Sequence, residues 1–193
     1  MEKADILSIL RADRTVFTFK EILLASGETN PGLLIRRLSY YVKKGELHSI
    51  RRGLYAKDKN YDKRELATKI YTPSYISFET VLRDAGMIFQ HYDTIFVASY
   101  ITREIVADNH NFAYKRLKDH ILIDPAGIEV KDNYSIASPE RAFLDTLYRT
   151  KDYYFDNLRP LNRDKAFELL AIYKNNRMEK KVKQIFEKFN EKK

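Results

Sequence analysis

The chain has 193 residues, 44% of them apolar and 32% charged, a composition that is typical of a folded protein and excludes a disordered one. The absence of cysteine excludes disulfides, thiolate catalysis and cysteine-based zinc sites, and it suits a reducing cytoplasm. The formal net charge of +8 is concentrated at the two ends, because residues 1–60 and 151–193 each carry twelve basic and seven acidic side chains. Basic ends indicate a surface that faces a polyanion.

The charged start of the chain is not typical of a signal peptide. No apolar run reaches the ~18 residues that a membrane span requires. We therefore expect a cytoplasmic protein with no membrane partner.

Two helices are predicted before residue 30. Apolar side chains at helical spacing predict the first over residues 3–12. Thr18 and Glu21 have the spacing of a capping box, which predicts the start of the second helix. Gly27 is a typical C-terminal residue and ends it.

A third helix carries positive charge on the face opposite to its apolar stripe. Asn30 is its predicted N-cap and Pro31 its first residue. The buried stripe is predicted to contain Leu34, Leu38, Tyr41 and Val42. In a helix-turn-helix the second helix enters the major groove of DNA, where arginine can bind guanine or phosphate through two hydrogen bonds. The candidate DNA contacts on this helix are Gly32, Leu33, Arg36, Arg37, Tyr40, Lys43 and Lys44.

A basic β-hairpin is predicted directly after this helix. Two short β-prone segments, residues 47–50 and 54–56, flank Arg51, Arg52 and Gly53, and glycine allows the positive φ of a tight turn. In a winged helix-turn-helix such a hairpin is the wing. Arg51 and Arg52 would then contact backbone phosphates or an adjacent minor groove, which positions the protein without selecting a base sequence.

These patterns predict an α+β fold: an N-terminal winged helix-turn-helix domain in residues 1–58, followed by a mixed α/β domain in residues 62–193 that ends in helices. Polar residues 57–63 form the boundary. Helices are predicted at residues 65–70, between Pro73 and Gly86, after Ser138, after Asp164 and at the C-terminal end. Strands are predicted at residues 94–98, 105–107, 111–117, 121–123 and 127–130.

Three segments resemble the AbiEi-type antitoxins: residues 51–56 (RRGLYA), 73–82 (PSYISFETVL) and 137–145 (ASPERAFLD). They occur in order and with matching spacing across residues 5–150. The resemblance implies a bacterial transcriptional regulator of a type IV toxin–antitoxin (abortive infection) system. Its N-terminal domain would repress its own operon by binding operator repeats in double-stranded DNA upstream. Its C-terminal domain would counteract a nucleotidyltransferase-like toxin encoded beside it, without a stable complex.

No common catalytic motif is present, and the four histidines lack metal-ligand spacing, so we expect no catalytic residue, metal or cofactor. We also expect the protein to be a monomer or a weak dimer. Ser74, Ser77 and Thr80, near the start of a predicted helix, are expected to serve as caps and not as nucleophiles. One alternative is a metal-dependent nuclease in which Asp108 or Asp119 acts with Glu129 and Lys131. Another is a winged-helix regulator with a ligand-sensing C-terminal domain.

Overall fold

The computed structural model describes residues 13–150 and 152–190. Within these ranges the protein is mixed α+β, with eight α-helices, one short 3₁₀-helix and nine strands in two sheets. The helix predicted for residues 3–12 lies outside the described residues. None of the described helices combines the length and apolarity needed to cross a bilayer.

The N-terminal elements are two helices and a three-stranded antiparallel sheet. They are β1 (Val16–Thr18), α1 (Phe19–Ser26), α2 (Pro31–Lys44), β2 (His48–Arg51) and β3 (Leu54–Ala56), with strand order β1-β3-β2. The predicted capping box of α1 is confirmed, since the Glu21 amide donates to the Thr18 hydroxyl (3.2 Å) and the Thr18 amide donates to the Glu21 carboxylate (2.7 Å). Gly27 ends α1 with a φ of 61°.

The remaining chain forms a six-stranded mixed sheet covered by helices, with strand order β6-β7-β5-β4-β9-β8. Its strands are β4 (Ser74–Ile76), β5 (Ile95–Ser99), β6 (Arg103–Ala107), β7 (His110–Arg116), β8 (Ile128–Lys131) and β9 (Tyr134–Ala137). Its helices are α3 (Lys63–Ile70), α4 (Phe78–Asp84), α5 (Asp119–Leu122), α6 (Pro139–Arg149), α7 (Arg163–Leu169), a 3₁₀-helix (Leu170–Tyr173) and α8 (Asn176–Asn190). The pairs β5–β7 and β4–β9 are parallel, and the other neighbours are antiparallel.

Two local predictions in this part are wrong. The predicted strand at residues 121–123 is instead the end of helix α5, and short apolar runs of this kind do not distinguish strand from helix. Helix α7 is capped by Asn162, whose side chain accepts a hydrogen bond from the Lys165 amide at 3.1 Å, and not by Asp164. Asparagine and aspartate are nearly equal N-caps, so neighbouring candidates are separated only by the path of the chain.

Strand β1 connects two apolar cores. Val16, on one face, packs into the large cluster that fills the space between the six-stranded sheet and its helices. Phe17, on the other face, packs into a small cluster beneath α1 and α2. Because successive side chains of a strand point to opposite faces, three residues are enough to join both cores. Leu54 and Ala56 of β3 also belong to the large cluster, so the N-terminal sheet is continuous with the main core.

A buried ion pair lies where two of the sequence motifs meet. Arg141 and Asp145 occupy successive turns of α6, both side chains are fully buried, and Arg141 Nε lies 3.5 Å from Asp145 Oδ1. The carboxylate also accepts hydrogen bonds from the Tyr75 hydroxyl (3.0 Å), the Ser77 hydroxyl (2.7 Å) and the Tyr173 hydroxyl (2.7 Å). Burial, with the neighbouring Asp145 charge, raises the pKa of Tyr75 and Tyr173, so both phenols remain donors at neutral pH.

The role predicted for Ser77 is therefore wrong. It occupies the N-cap position of α4 but makes no capping hydrogen bond, and its hydroxyl instead donates to Asp145. Phe78, the next residue, has a φ of 55°, which is strained for a bulky side chain and costs on the order of 1–3 kcal/mol. The fully buried Phe78 side chain and the Ser77 hydrogen bond hold the sharp change from β4 to α4.

Replacing Arg141 with methionine should destabilise the fold strongly. The substitution leaves the Asp145 carboxylate buried without its cation, which typically costs about 3–5 kcal/mol. Urea unfolding of the full chain measures the change. Arg149→Met, in the exposed last turn of the same helix, is the matched control and should change the unfolding free energy by no more than about 0.5 kcal/mol. Equal effects at the two positions would contradict the role assigned to the pair.

Candidate nucleic-acid interface

Helix α2 begins and ends at the predicted residues. Asn30 Oδ1 accepts hydrogen bonds from the backbone amides of Gly32 (3.0 Å) and Leu33 (3.3 Å), and Pro31 is the first helical residue. Gly45 ends the helix with a φ of 74°, in the left-handed region that favours glycine. The two caps define the helix that carries the candidate surface.

The buried stripe of α2 leaves its opposite face in solvent. Leu34 and Leu38 are completely buried in the small cluster beneath α1 and α2. The exposed residues of the helix after Pro31 are Gly32, Leu33, Ile35, Arg36, Ser39, Tyr40, Lys43 and Lys44. Ile35 and Ser39 are absent from the predicted contacts, since the sequence pattern assigned them to neither face. The exposed surface thus contains every predicted residue of α2 except Arg37.

Two adjacent arginines of α2 differ in their freedom to bind a partner. Arg37 Nη1 lies 3.2 Å from Glu28 Oε2 in the connection between α1 and α2, and its side chain is 31% exposed. Arg36 is exposed and forms no ion pair with another described residue. Its guanidinium donors are available to an incoming ligand, whereas those of Arg37 are partly engaged within the protein.

Tyr40 and Lys44 form a pair one helical turn apart. The Tyr40 side chain is half exposed, and the Lys44 ammonium lies 4.8 Å from the centre of its ring. The Tyr41 ring contacts Tyr40 edge-on at 5.7 Å between ring centres. A cation held over an aromatic ring is partly ordered before any ligand arrives. The pair therefore presents a phenol and a positive charge together at the C-terminal half of the helix.

The predicted basic hairpin is confirmed as β2 and β3, and its tip is attached to α1. Arg51 stands opposite Leu54, and Gly53 adopts a φ of 78° in the turn. The Phe19 amide donates a hydrogen bond to the Gly53 carbonyl at 2.8 Å, which links the turn to the first residue of α1. Arg51 and Arg52 are both exposed.

The two hairpin arginines have different surroundings. Burial chiefly raises the pKa of Tyr114 on β7, and the positive charge of nearby Arg51 opposes that rise. Neither Arg51 nor Arg52 forms an ion pair with a described residue, so the two differ only in the effect of the Arg51 charge on Tyr114.

Comparison with known proteins adds little to this geometry. No protein-family model matches the chain, and a search of curated proteins finds no match. Among solved structures, the crystal structure of the RV2827C protein from Mycobacterium tuberculosis is similar, with a TM-score of 0.49 and 13% sequence identity over 86% of this chain and 69% of that one. A similarity of this size carries no argument about function.

A polar contact that the sequence does not indicate joins the basic hairpin to the six-stranded sheet. The tight turn between β6 and β7 places Asp108 and Asn109 at φ values of 48° and 65°. Asp108 Oδ2 lies 2.8 Å from His48 Nε2 on β2 and accepts a hydrogen bond from the Tyr61 hydroxyl, also at 2.8 Å. The His48 and Tyr61 rings are stacked, with 6.1 Å between their centres.

This contact, the His48–Asp108–Tyr61 latch, fixes the hairpin relative to the larger part of the protein. The hydrogen bond from His48 is the main reason that the pKa of Asp108 is lowered, with a further contribution from Tyr61. Asp108 and Asn109 are turn-forming residues between two predicted strands, and this pattern indicates a hairpin. Nothing in the sequence indicates that Asp108 contacts His48 on β2.

Asp108, one of the two aspartates named in the nuclease alternative, lies far from Glu129 and Lys131. Asp108 follows β6, whereas Glu129 and Lys131 lie on β8, and these are the two edge strands of the six-stranded sheet. With five interstrand spacings between them, the edges are roughly 20 Å or more apart. Asp119 lies in α5. Across the described ranges, no group of three or more histidine or carboxylate side chains could hold a metal ion.

Replacing Asp108 with asparagine should weaken folding at neutral pH and flatten its acid dependence. The pKa of Asp108 is lowered in the folded state, so its stabilising contribution is present above the unfolded value of about 4 and is lost as the pH falls through the folded value. Because the side chain is about one-third exposed, we expect a loss of only about 1 kcal/mol at pH 7, and less at pH 3. Urea unfolding at pH 7, 5 and 3 measures both.

Asp93→Asn is a matched control, because Asp93 lies 3.2 Å from His91 in a pair that is almost fully exposed. It should leave the unfolding free energy nearly unchanged at every pH. A loss for Asp108→Asn that is constant between pH 7 and pH 3 would show that the carboxylate charge is not what the latch uses.

Proposed function

We propose that the protein is a DNA-binding transcriptional regulator in which the helices and hairpin of the first sixty residues act as a winged helix-turn-helix. The observation that carries this proposal is the exposed face of α2, which combines unpaired Arg36, the Tyr40–Lys44 pair and Lys43. A second helix that follows a short connection and precedes a basic hairpin is the element order of that motif.

The chemistry of this surface matches double-stranded DNA. Arg36 lies in the first half of α2, the part that contacts base edges when a recognition helix enters the major groove. Its planar guanidinium can donate two hydrogen bonds to guanine or to a phosphate. Lys43 and Lys44 near the helix end, and Arg52 at the hairpin tip, suit phosphates, which fix orientation without reading sequence.

We further propose that the regulator is an autorepressor and antitoxin that counteracts a nucleotidyltransferase-like toxin encoded beside it. The support is the resemblance to AbiEi-type antitoxins in three segments. Two of these segments meet in the fold, where Tyr75 and Ser77 of the second donate hydrogen bonds to Asp145 of the third. This contact explains why the two patterns occur together as a scaffold, and it assigns antitoxin activity to no residue.

A ligand-sensing regulator is the second candidate, favoured by a cavity of about 380 Å³ between α1, α3 and the β8–β9 hairpin. Its lining includes Thr18, Glu21, Lys69 and Ser135. The Lys69 ammonium lies 2.6 Å from the Glu21 carboxylate, so the cavity is bordered by an ion pair between α3 and α1. A small polar molecule that displaced this pair would act directly on the capping box of α1.

Replacing Arg36 with alanine should weaken operator binding and relax its base preference. Loss of a contact with two hydrogen bonds to a base costs about 1–3 kcal/mol, roughly 5- to 150-fold in affinity. Arg52→Ala should instead weaken binding to all sequences and reduce the slope of log K against log salt by about 1. Fluorescence anisotropy with DNA from upstream of the gene, at several salt concentrations, separates the two effects.

Arg103→Ala, an exposed arginine on β6, is the matched control and should leave DNA affinity unchanged. Equal affinities for the wild type, Arg36→Ala and Arg52→Ala would refute the DNA-binding proposal. An effect of Arg103→Ala as large as that of Arg36→Ala would show that binding follows net charge and not the proposed surface.

The antitoxin proposal predicts that DNA binding and rescue are separable. A full-length variant with Arg36 and Arg52 both replaced by alanine should lose repression but still restore growth to cells that express the adjacent toxin. Point substitutions are required because Val16, Leu54 and Ala56 pack into the main core, so deleting the N-terminal elements would also damage the rest. Loss of rescue in a folded double variant would contradict the division of labour.

A further inference from the structure

Two large aromatic side chains are exposed to solvent and border the same cavity. Phe89 is 74% exposed and Tyr154 is 76% exposed. Both border a cavity of about 440 Å³, whose lining is completed by Ile88, Gln90, Asp152, Tyr153 and Asp156. Exposed apolar side chains that occur singly are normal, but aromatic rings grouped around one cavity are typical of an interaction site.

The two segments that carry the rings are held together by hydrogen bonds and are anchored to the core. The Phe89 amide donates to the Asp156 carboxylate at 2.9 Å, and the Asp156 amide donates to the Met87 carbonyl at 3.0 Å. Phe155 packs against the fully buried Phe143, with 4.8 Å between ring centres. The rings are therefore displayed on an ordered framework, which lowers the entropy cost of binding.

The charge of the cavity is opposite to that of the whole protein. The chain has a net charge of +8, yet the charged residues that line this cavity are Asp152 and Asp156. Asp152 is fully exposed and pairs with Lys181, whose Nζ lies 3.5 Å from Asp152 Oδ1; a solvent-exposed pair of this kind contributes little energy. Carboxylates beside aromatic faces repel phosphate and attract a cation, so this cavity does not suit the nucleic acid that α2 suits.

We propose that the cavity is a docking site for a cationic side chain, an arginine or a lysine, of a partner protein. The cation would lie against the faces of Phe89, Tyr153 and Tyr154 and near the Asp156 carboxylate. The same combination occurs inside the protein, where the Lys115 ammonium lies 4.5 Å from the centre of the Phe96 ring and donates a hydrogen bond to the Glu79 carboxylate at 2.7 Å. This inference is independent of the proposed DNA binding, because it concerns different residues and the opposite charge.

A pair of matched peptides tests the chemistry of the site. Ac-Leu-Arg-Leu-NH₂ and its citrulline counterpart have nearly the same shape and differ in charge. Each is titrated into the full-length protein labelled with ¹³C in its Phe and Tyr rings, and the ring signals of Phe89 and Tyr154 are followed by NMR. The arginine peptide should shift both signals, and the citrulline peptide should bind about two- to fivefold more weakly or not at all.

Three variants assign the contributions. Phe89→Leu and Tyr154→Leu keep an apolar side chain but remove the aromatic face, and each should weaken the arginine peptide. Asp156→Asn keeps an acceptor for the Phe89 amide while removing the charge, and it should reduce the preference for arginine over citrulline. Tyr100→Leu, at another exposed tyrosine, is the control and should change nothing.

Equal binding of the two peptides, or unchanged arginine binding in both leucine variants, would overturn the proposal. Ring signals that shift with protein concentration alone, before peptide is added, would assign the cavity to a second copy of the chain and overturn the assignment to a partner protein. Because both aromatic side chains are mostly exposed, loss of folding is not expected to obscure these results.

Discussion

The buried pairing of Arg141 with Asp145 is the constraint on which the larger part of this protein depends. A buried carboxylate is tolerated only when its charge and lone pairs are satisfied, and here hydroxyl groups from β4 and from the 3₁₀-helix complete its hydrogen bonds. The guanidinium in turn donates to the carbonyls of Ala126 and Ile121, which belong to the segment between β7 and β8. The ion pair thus connects α6 to β4, to the segment between β7 and β8, and to the 3₁₀-helix.

The N-terminal elements are also held against the rest of the protein by side-chain hydrogen bonds. The carboxylate of Glu65, at the start of α3, accepts hydrogen bonds from the amide (2.8 Å) and the hydroxyl (2.7 Å) of Thr15, just before β1. Asp108 holds the hairpin from the other side through His48. The β6–β7 turn and the hairpin are therefore joined by a direct side-chain contact.

Two parts of the protein surface carry opposite charge, although the net charge of the chain is positive. The exposed face of α2 combines cations with a tyrosine and suits a polyanion, whereas the cavity between Phe89 and Tyr154 combines aromatic rings with carboxylates and suits a cation. The proposed DNA contact and the proposed protein contact would therefore use surfaces of opposite charge, which do not compete for one ligand.

The sequence by itself determined the features that depend on a few neighbouring residues. The capping box at Thr18, the Asn30 cap of α2 and the glycine turn of the basic hairpin follow from local hydrogen bonding and backbone preference. Only the tertiary structure decided which distant groups meet. Strand β1 pairs with β3, Asp108 contacts His48, and the Ser77 hydroxyl donates to Asp145 and does not cap a helix. The reason is physical, since a hydroxyl or carboxylate has several possible partners and long-range packing selects among them.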